Sequence, residues 1–178
     1  MKSLIRLIDR LNSFSGALAG LMLLGALAMI CTEIVLRSFF HRTLYITDEY
    51  MGYLMCGLTF CALGYTLKEK GHIRMTLLFQ SLGTKWQQFL NIVCFSIGFF
   101  VTAYLSFICT SFFWDSVVTK SQSIQISATY LAIPQFFMPL GATMLALQFL
   151  AELLRSIYVL RGDTEGLMVL EESEELGR

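Results

Sequence analysis

Leu11-Asn-Ser-Phe-Ser-Gly-Ala-Leu-Ala-Gly-Leu-Met-Leu-Leu-Gly-Ala-Leu-Ala-Met-Ile-Cys-Thr32 runs for 22 residues without a charge. A helix rises about 1.5 Å per residue and the bilayer hydrocarbon is about 30 Å thick, so about 20 apolar residues cross it. Three more uncharged stretches follow: Tyr50–Leu67 (18 residues), Trp86–Trp114 (29) and Ser121–Ala151 (31). Lipid offers the backbone no hydrogen-bond partner, and a helix meets that demand within each uncharged run of this length. The pattern predicts an all-α integral membrane protein with four transmembrane helices, spanning about 11–36, 48–67, 87–113 and 131–154 within a membrane domain of residues 1–160.

Composition agrees. The chain is 56% apolar and 15% charged, with a mean hydropathy of +0.64, whereas soluble domains hold about 45–50% apolar and about 25% charged residues. A net charge of zero gives nucleic acid no reason to bind. Lys2, Arg6, Arg10, Lys68, Lys70, Arg74, Lys85, Arg155, Arg161 and Arg178 fall on one side of this topology, and Arg37, Arg42 and Lys120 on the other. The positive-inside rule then predicts cytoplasmic termini and a cytoplasmic middle connection. Trp86 and Trp114 bracket the third span, as interfacial aromatics do. The first apolar run exceeds a signal peptide's apolar region and ends in Glu33 and Arg37 instead of a small-residue cleavage site, so it is expected to be retained.

Several chemistries are excluded. The five cysteines, at 31, 56, 61, 94 and 109, all lie inside spans without disulfide or zinc spacing. His41 and His72 fall in connections on opposite sides, where neither reaches a haem in a bundle interior. No Gly-rich phosphate loop and no nucleophile–base constellation is present. We expect no enzyme activity, cofactor or metal. No internal repeat and no pair of broken helices marks a substrate site at the bilayer midplane, and the spans read as poor in clustered polar residues.

The polar positions near the spans are few. Glu33 precedes Arg37 by four residues on one face, the favourable order for an ion pair. An unpaired Glu33 would instead suit a proton-coupled site. Thr47-Asp48-Glu49 opens the second span, with Thr47 as the expected N-cap and two carboxylates at the positive end of the helix dipole. Gly57, Cys61 and Gly64 form a small-residue stripe that lets another helix approach. Met75, Leu78, Phe79 and Leu82 repeat at amphipathic spacing between flanking basic residues, predicting an interfacial helix over about 72–84. Segment 121–130 is polar and uncharged, and suits partial insertion into the membrane. Pro134 and Pro139 interrupt the start of the fourth span. Residues 161–178 form an acidic tail, expected to be poorly ordered.

Arg37-Ser-Phe-Phe, Thr47-Asp48-Glu49, Leu58-Thr59-Phe60 with Leu63-Gly64, Gly71-His72-Ile73-Arg74, and Ile133-Pro134 through Pro139-Leu140-Gly141 together resemble the small membrane subunit (DctQ type) of tripartite ATP-independent periplasmic transporters. The resemblance covers about residues 1–160. Gln135 stands where that family usually has an aromatic. The resemblance implies a scaffold subunit in the bacterial inner membrane that stabilises a large permease subunit. Its complex would import an organic acid with sodium, after transient delivery by a periplasmic substrate-binding protein. Arg37, Asp48, Glu49, Gly57, Gly64, His72 and Arg74 are the candidate partner-interface or structural positions, with membrane lipids as further partners. From a different class comes the alternative of a self-contained homodimeric exporter coupled to protons through Glu33.

Overall fold

The structure, a computed structural model, describes residues 2–69, 84–125 and 127–160. Among the described residues five helices form: α1 (Lys2–Phe40), α2 (Thr47–Lys68), α3 (Thr84–Thr119), α4 (Ala132–Gln135) and α5 (Phe137–Leu160). Four segments among them are long and apolar enough to cross a membrane: Leu4–Phe40, Thr47–Lys68, Phe89–Thr119 and Ala132–Tyr158. Among the described residues no strand forms, and the only pairing of that type is an isolated antiparallel bridge between Gln122 and Tyr130. The expected all-α membrane architecture is thus present. The interfacial helix expected over about 72–84, with His72 and Arg74, and the acidic tail lie outside the described residues.

One boundary differs from the sequence expectation, and one interruption agrees with it. α1 begins well before the apolar run and has 39 residues, about 58 Å at 1.5 Å per residue, far more than a bilayer needs. Its charged N-terminal turns stay helical because Asp9 has a partner on α5. The fourth span is broken at Phe136 into α4 and α5. Pro139 has no N–H to bond the carbonyl of Gln135, and the chain restarts as α5 with Leu140 N–H donating to Phe136 at 3.4 Å.

The helices do not close a four-cornered core. α2 packs against α1 and α5, α5 packs against α2 and α3, and α1 also touches α5, so α1 and α3 form opposite flanks. α5 is the most buried span. The α2–α5 crossing is set by Gly141: a Cβ there would collide with the backbone carbonyl of Phe60. The α3–α5 seam is aromatic. Phe149 lies over Gly98 and beside Phe95, with ring centroids 6.4 Å apart, and Ser106 and Thr143 share a 2.8 Å hydrogen bond. Ile5, Ile8 and Ala151 form a small apolar core where α1 meets α5, with Leu147, Leu154 and Tyr158 packed on it. The flanks stay apolar and open. Phe14, Leu21, Leu24 and Phe39 on α1, and Phe100, Tyr104, Phe107 and Trp114 on α3, are exposed.

Candidate functional site

The buried acidic side chains, Asp9, Glu49 and Glu152, lie at the two ends of the helix layer. At the end formed by the α1–α2 connection and segment 121–131, Glu33 organises the turn. Its Oε1 accepts from Arg37 Nη2 at 3.1 Å, and its Oε2 accepts from the Leu44 amide at 2.9 Å and from Thr47 Oγ1 at 3.2 Å. The expected Glu33–Arg37 pair is present. Oε2 thus holds the connection against α1, while Oε1 pairs with Arg37 on α1 itself. Thr47 is not the N-cap. That position is Ile46, which makes no side-chain cap, and the Thr47 hydroxyl is spent on Glu33 instead.

Glu49 is only 6% exposed. It accepts from Tyr53 Oη at 2.7 Å and from Ser127 Oγ at 2.5 Å. Ser127 also shares a hydrogen bond with Thr129 at 2.8 Å, and Thr129 with Tyr50 at 3.2 Å. The 121–131 segment turns back on itself through Ser123 N–H to Thr129 at 2.9 Å and Leu131 N–H to Ser121 at 3.0 Å. Glu49 therefore ties this hairpin-like segment to the first turn of α2. Among the described residues its partners are hydroxyls, and Arg37 is paired with Glu33. Asp48, one residue earlier, is exposed and has no hydrogen bond or ion pair among the described residues.

The small-residue stripe of α2 is occupied by the chain's own helices. Gly57, Cys61 and Gly64 are buried. A Cβ on Gly57 would meet Met22 Sδ at 2.9 Å and Phe137 at 3.5 Å, and one on Gly64 would collide with Asn12 and lie 3.3 Å from the Met144 backbone. The Cys61 carbonyl accepts from Ser15 Oγ at 2.8 Å. Within the described fold the stripe is an internal seam between α1 and α5, where three helices approach closely at once.

At the opposite end the structure brings together residues the sequence reading missed. Asp9, Asn12, Gln148 and Glu152 are 4%, 0%, 0% and 6% exposed. Arg155 donates from Nη2 to Asp9 Oδ2 at 2.6 Å and from Nη1 to Glu152 Oε1 at 2.7 Å. Gln148 Nε2 donates to Asp9 Oδ1 at 3.2 Å, and Asn12 Nδ2 donates to Gln148 Oε1 at 2.7 Å. Lys68 Nζ reaches Ser13 Oγ at 2.9 Å, and Ser13 in turn donates to the Asp9 carbonyl at 2.9 Å. The signal was available. Gln148, Glu152 and Arg155 recur at four and three residues, as do Asp9, Asn12 and Ser13, so each set marks one helix face. Reading the spans as poor in clustered polar residues overlooked that two such faces can meet.

Between these ends, hydroxyls are satisfied locally. Thr59, Thr66, Thr102 and Thr110 donate to carbonyls four residues back on their own helices, at 2.7–2.8 Å. Among the described residues no group of three or more His, Cys, Asp or Glu side chains is placed to hold a metal ion. The arrangement consists of two polar clamps, with hydroxyl contacts such as Ser106–Thr143 between them.

Comparison with known families decides what this architecture belongs to. Residues 26–158 match the family of tripartite ATP-independent periplasmic transporters, DctQ component. The chain belongs to this family. Among curated proteins and among solved structures, none matches the chain. The match runs from the middle of α1 nearly to the end of α5. It therefore includes Glu33, Glu49, the internal glycine seam and Arg155, but begins beyond Asp9 and Asn12. The family is a transport component, and the four spans make this member a multi-pass membrane protein.

Proposed function

We propose that this chain is the bracing small subunit of a sodium-coupled importer in the bacterial inner membrane. A large permease subunit carries an organic acid across, and a periplasmic binding protein delivers it transiently. The observation that carries this reading is where the polar groups go. Asp9, Glu33, Glu49, Glu152 and Arg155 are all engaged in bonds within the chain. The exposed surface of α1 and α3, in contrast, is broad and apolar. A subunit with its own pathway needs polar groups facing a route. A brace needs apolar flanks for another protein's helices and for lipid. The positive-inside bias supports termini in the cytoplasm, which puts the Glu33–Glu49 end outside and the Asp9–Arg155 end inside. Nothing here supports the alternative of a proton-coupled exporter, since Glu33 pairs with Arg37 through Oε1 and bonds Leu44 and Thr47 through Oε2.

Two measurements in liposomes test the reading. The chain alone should neither exchange organic acids nor dissipate a sodium or proton gradient, while the chain purified together with the permease should restore sodium-driven uptake. Uptake by the chain alone that is abolished by Glu33→Gln would overturn the bracing role.

A further inference from the structure

A groove of about 340 Å³ opens on the surface between α1 and the start of α2, lined by Ile30, Glu33, Ile34, Arg37, Thr47, Asp48 and Met51. Its α1 residues stand at i, i+3, i+4 and i+7, one continuous face. Because α1 and α2 run in opposite directions, Ile30 and Met51 lie deeper in the membrane and Arg37 and Asp48 lie at its surface. The walls thus pass from apolar to charged in the order of a phospholipid, acyl chain to headgroup. The two charges at the mouth are of opposite sign. The Arg37 side chain is 66% exposed and gives one nitrogen to Glu33, leaving other N–H donors free for a further acceptor. Asp48 is exposed and has no hydrogen bond or ion pair among the described residues. Glu33 has both oxygens occupied, so Asp48 sets the uncompensated charge of the mouth.

We propose that this groove seats one zwitterionic phospholipid whose headgroup carries a primary ammonium. Arg37 takes the phosphate as a charge-assisted acceptor, Asp48 takes the ammonium, and an acyl chain lies along Ile30, Ile34 and Met51. A headgroup with a single negative charge would bring nothing for Asp48 and would be repelled by it. A partner helix would have to present a cation and an anion together at the rim of an apolar contact, where unpaired charges are costly. The lipid supplies both in one molecule. The proposal rests on the four spans and this groove, and is independent of the transport reading.

Native mass spectrometry of the delipidated full chain tests it, with phosphatidylethanolamine and phosphatidylglycerol of matched acyl chains added separately. Phosphatidylethanolamine should be retained about tenfold more, as expected for one extra hydrogen bond between charged groups. Asp48→Asn should bring the two lipids to within about twofold, and Arg37→Gln should lower retention of both. Asp48→Asn is the decisive variant, because that side chain makes no bond within the described fold and its loss leaves Glu33 intact. Equal retention of the two lipids by the unaltered chain, or a preference untouched by Asp48→Asn, overturns the proposal. So does photocross-linking from position 34 in native membranes that captures protein in place of lipid.

Discussion

Arg155 on the last helix reaches Asp9 on the first, Nη2 to Oδ2 at 2.6 Å, while its other terminal nitrogen holds Glu152 at 2.7 Å. One guanidinium therefore fixes the ends of two helices that are far apart in the chain. The side chains involved are 17%, 5% and 8% exposed, so water does little to screen them. In such surroundings a missing partner leaves a stranded charge, which matters more than the strength of the intact pair.

Arg155→Gln should accordingly destabilise the chain by about 3–5 kcal/mol. Adding Asp9→Asn and Glu152→Gln should recover much of that loss, since the triple variant leaves no buried charge. Thermal unfolding in mild detergent measures both. A single variant as stable as the original chain would show that this end is hydrated.

Gly141 is the tightest point of the α2–α5 crossing, because its neighbour is the Phe60 backbone rather than a side chain that can rotate. Gly141→Ala should cost about 1–3 kcal/mol, as overpacking does. Gly57→Ala should cost less, because its nearest atom belongs to flexible Met22, and Gly52→Ala should be tolerated, since nothing lies within 4 Å. The order of the three melting temperatures is the test.

Glu49 and Ser127 form a latch between α2 and the segment before α4. Loss of a hydrogen bond to a charged group costs about 1.5–3 kcal/mol. Ser127→Ala and Glu49→Gln should each release residues 121–130, seen as faster amide exchange confined to that segment. The double variant should cost less than the sum of the two, because they share one interaction. Strict additivity would mean that Glu49 serves only to complement the helix dipole, a contribution of about 0.3–1 kcal/mol.

Topology follows from the asymmetry of the basic residues. A cysteine introduced at position 41 or 120 should react with an impermeant reagent from the outer face, and one at position 2 only after the membrane is opened. Labelling in the reverse order would invert the assignment of both polar clamps.

The sequence by itself determined the number of spans and their helical form. Uncharged runs of about 20 residues match the length at which a helix satisfies its own backbone in hydrocarbon, and such a run is visible without any partner. It also made Glu33–Arg37 legible, because the two are neighbours on one helix. Only the tertiary structure decided what the other polar residues do. Asp9 and Arg155, or Glu49 and Ser127, are distant in the chain and meet because helices cross. The same crossing turned the Gly57–Gly64 stripe inward, since a small residue announces that something packs closely but not which helix it is. Periodicity gives each helix a face, and only the packing of the helices gives that face a partner.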